Sequence, residues 1–174
     1  MQYDFNRSLE ILERTPVVLT HLLQGISEAW VRSNEGPDTF SPFDVVGHLI
    51  HGERTDWMER TNRILQHGTT MPFDKYDRFA QYEESKGKSI NELLDTFASL
   101  RKQNLQVLAE LKLNESDLDK KGMHPALGQV TLKNLLATWV VHDLTHIAQI
   151  TRVMAKQYKE ETGPWQEFFR LLHF

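Results

Sequence analysis

Apolar residues recur along this chain at three- and four-residue steps, the spacing that gathers them on one face of a helix. A first segment runs from about Asp4 to Trp30 and carries Leu9, Leu12, Val17, Leu19, Leu22 and Leu23. It stops at the turn-rich Ser33-Asn-Glu-Gly-Pro-Asp38. A second starts at Ser41-Pro42, where serine caps the helix and proline suits its first position. Phe43, Val46, Ile50, Trp57, Ile64 and Leu65 continue it to near Gly68. A third opens on Ser89-Ile-Asn-Glu92, a capping-box pattern. Its stripe is Leu93, Phe97, Leu100, Leu108 and Leu111, ending near Asn114. A fourth begins at Thr131, after Pro125 and Gly128. It carries Leu132, Leu135, Leu136, Trp139, Ile147, Ile150 and Met154 and ends before Gly163-Pro164. A last short helix is expected over Trp165 to Leu172.

Four long amphipathic segments without strand alternation predict an all-α four-helix bundle, one domain over residues 1–174. The short link between the first two segments makes them antiparallel neighbours. The link from about residue 68 to 88 is much longer. A helix of about 25 residues is about 37 Å long, and about 20 extended residues reach about 66 Å. This crossover can therefore traverse the bundle, leaving the second and third helices parallel in an up-down-down-up order.

Composition narrows the function. The 174 residues include no cysteine, which excludes disulfides, thiolate metal sites and cysteine nucleophiles. The formal net charge of −4 offers no basic footprint for nucleic acid. The opening Met1-Gln-Tyr-Asp-Phe-Asn-Arg7 has no apolar signal core, and no apolar run approaches a membrane span. A cytoplasmic protein acting on a small-molecule substrate, with neither nucleic acid nor membrane as partner, is expected. Eight histidines in a cysteine-free chain stand out.

His142 and His146, four residues apart, share one face of the fourth helix, at the edge of its apolar stripe. Two imidazoles one turn apart can hold one metal ion, or be two hydrogen-bonded packing residues. The second helix offers His48 and His51. Its apolar stripe points almost opposite His48, which either faces solvent or lines a polar cleft, and periodicity does not choose between the two histidines. His21, His67, His124 and His173 have no partner at ligand spacing.

Two blocks carry a family resemblance: Phe40-Ser-Pro-Phe-Asp-Val-Val-Gly-His48-Leu-Ile-His51, and Trp139-Val-Val-His142-Asp-Leu-Thr-His146-Ile-Ala-Gln149. They resemble the DinB/YfiT-like superfamily of metal-binding four-helix bundles, with Phe40 where a tryptophan is usual. The resemblance implies His48, His142 and His146 as metal ligands, zinc or nickel as the metal, and a homodimer. It also implies thiol S-transferase chemistry with a low-molecular-weight thiol, while a water activated on such a metal would make a hydrolase instead.

Three neutral histidines leave a metal position open, as catalytic sites do. Gln149, about 20° from the direction of His142, and Asp143, a carboxylate in the apolar stripe that needs a partner, are candidate catalytic residues. Tyr76 and Arg78 in the crossover, with His51 beside His48, are candidates for contacting substrate or cofactor. The crossover is expected to wall the metal cleft; its alternative is a strap covering apolar surface. His142-Asp-Leu-Thr-His146 also echoes the zincin pattern His-Glu-x-x-His, but aspartate replaces the base and no third ligand follows. A carboxylate-bridged di-iron bundle needs a second acidic-x-x-His pair beyond Asp143–His146. A non-catalytic helical interaction module is the remaining alternative.

Overall fold

The computed structural model describes residues 2–173. The first predicted segment divides into α1 (Phe5–Leu23) and a short α2 (Glu28–Arg32). Asp4 caps α1, its carboxylate accepting from the Arg7 amide at 2.9 Å. The second segment is α3 (Pro42–Thr55) and α4 (Trp57–His67), separated by the single residue Asp56. Ser41 and Asp44 close a reciprocal capping box at its start. The crossover contains a helix that periodicity does not announce, α5 (Ala80–Ser85), and leads to α6 (Ile90–Glu110), started by the Ser89–Glu92 box. A turn of helix, α7 (Glu115–Leu118), precedes the last long helix, α8 (Leu132–Lys156), whose cap is Thr131 with Asn134.

Two departures concern strands and the end of the chain. Residues 121–131 form a hairpin, β1 (Lys121–His124) and β2 (Gly128–Thr131), paired antiparallel from Lys121–Thr131 to His124–Gly128. The expected C-terminal α-helix is instead two 3-10 segments, Glu160–Phe168 and Arg170–His173. The positive φ of 53° at Gly163, followed by Pro164, breaks regular α-geometry there.

Two apolar clusters fix the helix directions. One joins the end of α1 (Leu19, Leu23), the start of α3 (Phe43, Val46), the start of α6 (Ile90, Leu94) and the end of α8 (Ile150). The other joins Leu12 of α1, Trp57 and Ile64 of α4, Leu108 of α6, and Leu132 to Trp139 of α8. So α1 and α8 run one way while α3–α4 and α6 run the other, the up-down-down-up order. Among the described residues no helix is long and apolar enough to cross a membrane.

Between the clusters, in sequence order along each helix, sit Glu53, Arg101 and Asp143, all fully buried. The Arg101 guanidinium donates to both Asp143 oxygens, at 2.6 and 2.9 Å, and to Glu53 Oε1 at 2.7 Å. It also donates to the Leu12 carbonyl at 2.8 Å. Trp139 Nε1 and Asn104 Nδ2 donate to Glu53 at 3.2 and 2.9 Å. This layer ties all four long elements together at one height.

The crossover returns along the outside of α3 and α4. Phe73 is buried, and its amide donates to the Met123 carbonyl of the hairpin at 2.9 Å. Further on, α5 lies so close to α3 that a Cβ on Gly47 would stand 2.5 Å from Ser85 Oγ and 2.6 Å from Gln81 Oε1.

Candidate metal centre

The structure brings His48 of α3 together with His142 and His146 of α8. His142 Nε2 is 3.1 Å from His48 Nε2 and 3.1 Å from His146 Nε2. One ring nitrogen from each lies within 4.8 Å of the others, a separation suited to three nitrogens about 2.0–2.1 Å from one ion.

The far edges of the rings set the tautomers. Gln149 Oε1 lies 2.8 Å from His146 Nδ1. A carbonyl oxygen only accepts, so the proton is on Nδ1 and Nε2 keeps its lone pair. The Tyr76 hydroxyl is 3.2 Å from His48 Nδ1 and 3.4 Å from the His48 carbonyl. A hydroxyl donating to that carbonyl accepts from Nδ1, which again frees Nε2. His142 Nδ1 is buried without a hydrogen-bond partner among the described residues. Its ring is held by Trp57, edge-on at 5.1 Å.

Burial also keeps the rings uncharged. Desolvation first, then the neighbouring His146, His51 and Arg78, lowers His48 from 6.5 to about 4. His142 falls to about 2 through burial, then His146 and His48. Burial lowers His146 as well, opposed by its bond to Gln149 and by Asp143. Near neutral pH all three are neutral donors, the form that a metal binds. Burial, with Asp56 and Glu84 nearby, pushes the Tyr76 phenol up, so it stays a protonated donor.

The other candidates fall into place around this centre. Gln149 meets His146, whereas the spacing suggested a group facing bound substrate. Asp143 is a correction: both its oxygens are taken by Arg101, it has no exposed surface, and it lines neither cavity beside the histidines. The carboxylate found its partner in the core. His51 Nδ1 lies 2.9 Å from Glu84 Oε1, and Glu84 also holds Arg54. Arg78 has no carboxylate partner among the described residues; its guanidinium lies 5.8 Å from the Phe40 ring and 5.1 Å from that of Phe79.

Two cavities flank the three histidines, and His48, His142 and Arg78 border both. One, of about 320 Å³, lies under the hairpin and is walled by Trp57, Phe73, Leu127, Val130 and Leu135. The other, of about 420 Å³, is polar and bordered by Glu35, Asp38, Gln149 and Arg152. Sequence reasoning missed the hairpin, and with it Leu127 and Val130; His124, which has no partner at ligand spacing, lines the cavity under the hairpin and is not part of the histidine cluster. It also missed the Arg101–Glu53 pair, for which a charged residue inside an apolar stripe was the available signal.

The family model of the DinB superfamily matches residues 11–150. YfiT from Bacillus subtilis, described as a probable metal-dependent hydrolase with an unusual four-helix bundle topology, superposes with a TM-score of 0.75 at 22% identity. The match covers 88% of this chain and 86% of that one. TT2238, described as a four-helix bundle protein, superposes with a TM-score of 0.57 at 17% identity, over 85% of this chain and 98% of the other. No curated protein matches the sequence.

Proposed function

The chain belongs to the DinB superfamily, and we propose that it is a metal-dependent enzyme whose divalent ion is held by His48, His142 and His146. The observation that carries this reading is the convergence of three neutral Nε2 atoms whose opposite ring edges are, at His48 and His146, committed to Tyr76 and Gln149. The description of YfiT as a probable metal-dependent hydrolase supports it by analogy of fold.

Three protein ligands leave room beside the ion for substrate. Such an ion would act as a Lewis acid on a substrate oxygen or lower the pKa of a bound water or thiol. Tyr76 and Gln149 orient two of the rings. Trp57 and Phe40 keep water from two sides of the cluster, with the Phe40 ring 5.7 Å from that of His48. Of the carboxylates beside the two cavities, Asp56 and Glu35 are paired with Arg60 and Arg152, and Asp38 is exposed and hydrogen-bonds none of the three histidines. This favours chemistry whose nucleophile is generated at the metal, whether water in a hydrolase or a thiol in an S-transferase.

The test is metal analysis of untagged protein. One zinc or nickel ion per chain is expected in the wild type and in His51→Ala, and none in His48→Ala or His142→Ala. Retention of metal by His48→Ala with loss in His51→Ala would overturn the assignment. A panel of esters, amides and electrophiles with low-molecular-weight thiols then separates hydrolase from transferase.

A further inference from the structure

The cavity under the hairpin differs from its neighbour in what it offers a guest. Its walls are the rings of Trp57 and Phe73 and the side chains of Leu127, Val130 and Leu135. Most polar atoms among them are already engaged; Asn134 Nδ2 and His124 Nε2 have no hydrogen-bond partner among the described residues. Asn134 Oδ1 accepts from the Thr131 hydroxyl and amide at 2.8 and 2.9 Å. The Thr138 hydroxyl donates to the Asn134 carbonyl at 2.7 Å. Asp56 is paired with Arg60. His124 Nδ1 accepts from the Ala126 and Leu127 amides, both at 3.1 Å. A molecule entering this chamber therefore meets apolar surface along its sides. His48, His142 and Arg78, the groups that would meet a polar head, stand together at one end, where they border both cavities.

We infer that the substrate carries an apolar arm, alkyl or aryl, which fills this chamber, with its reacting polar head at the three histidines and the polar cavity beyond. The inference rests on the metal reading for the position of the head. The arm follows from the chamber's own chemistry. A polar arm would lose its water for few partners, whereas an apolar one gains by burial against the mostly apolar walls. A volume of about 320 Å³ lies at the small end of ligand pockets, which suits one arm of a substrate better than a whole extended molecule. Arg78, at the shared border, suits a head group bearing negative charge.

The test uses straight-chain hydroxamic acids of increasing length, whose common head chelates zinc, with binding to zinc-loaded protein measured by calorimetry. Affinity is expected to rise by up to about fourfold per added methylene until the chamber is full. Thr138 lies one helical turn before His142, so Thr138→Trp fills the chamber and should flatten the series. Thr39 borders the polar cavity, so Thr39→Trp should leave the series intact. A second arm needs no metal: 1-anilinonaphthalene-8-sulfonate, an aryl body with an anionic group, should fluoresce on metal-free protein and lose most of that signal in Thr138→Trp. If acetohydroxamate binds but longer chains gain nothing, or if Thr39→Trp flattens the series instead, the apolar arm is refuted and the metal centre stands. If no hydroxamate binds but the dye signal depends on Thr138, the metal reading falls and the chamber stands. Dye fluorescence unaffected by Thr138→Trp overturns the chamber assignment.

Discussion

His142 and His146 were legible because four-residue spacing on a long helix fixes a shared face whatever surrounds it. His48 was not, because α3 has almost no solvent side: from Val45 to Glu53 every residue is buried, between α6, α8 and the crossover. Periodicity reads a contrast between wet and dry faces, and here the contrast is missing. The burial that hid His48 also tunes it. In the metal-free protein His48 and His142 are held at about 4 and about 2, against 6.5 in the unfolded chain. Both therefore take up protons more readily when unfolded. Their contribution to stability is complete above pH 6.5 and is lost as pH falls from 6.5 towards the folded values, by up to about 1.4 kcal/mol per pH unit each. Urea unfolding of metal-free protein near pH 7 and pH 5 should show this loss. A His48→Gln, His142→Gln double variant should lose less stability over the same interval, and equal losses would refute it. On the outer edge of the site, Gln149→Leu removes the acceptor that fixes the His146 tautomer. Metal affinity should fall by at least about tenfold, with helical content unchanged, as read by competition with a chelating dye.

At the scale of elements, the capped helix starts at Ser41, Ser89 and Thr131 were readable because a cap is a local contract between a side chain and an amide three residues on. The crossover and hairpin were not. The buried face of α5 consists of Gln81 and Ser85, so it offers no apolar stripe. Each hairpin strand has four residues, too few for alternation to emerge. Both elements are held by close approach at glycine. A Cβ at Gly122 would stand 2.6 Å from Ile64 Cγ1 and 3.0 Å from Phe73 Cζ. Gly47 plays the same part beneath α5. Gly47→Ala should therefore cost about 1–3 kcal/mol by overpacking. Amide exchange should speed up in residues 80–85 more than elsewhere, because α5 must lift before α3 can yield. Uniform acceleration across the bundle would contradict a local contact. The buried ionic layer predicts a larger effect. Arg101→Met leaves Glu53 and Asp143 buried without their cation, a loss of about 3–5 kcal/mol. Replacing all three with apolar residues of similar size should recover much of it. Denaturant midpoints of the single and triple variants check this, and a triple variant no more stable than Arg101→Met would refute it.

For the whole molecule, the up-down-down-up order followed from loop lengths, because a chain long enough to cross the bundle and short elsewhere leaves few alternatives. That order places His48 early in a descending helix and His142 and His146 midway along an ascending one, so the three meet at one height beside the ionic layer. The apolar clusters on either side of that height draw on all four long elements without any of the three histidines. The fold therefore does not need the metal to close, unlike a zinc finger, where ligation supplies the folding energy. Removing metal should leave helical circular dichroism at room temperature unchanged. Metal should still stabilise by mass action: free ion at about 100 times its dissociation constant adds about 2.7 kcal/mol. For a chain of this size that corresponds to a rise in Tm of roughly 5–10 °C. The shift should vanish in His142→Ala while the metal-free Tm of His51→Ala still responds to added ion. Collapse of the helical signal on chelation would show that the centre is structural, and the chamber beside it would then need a purpose other than catalysis.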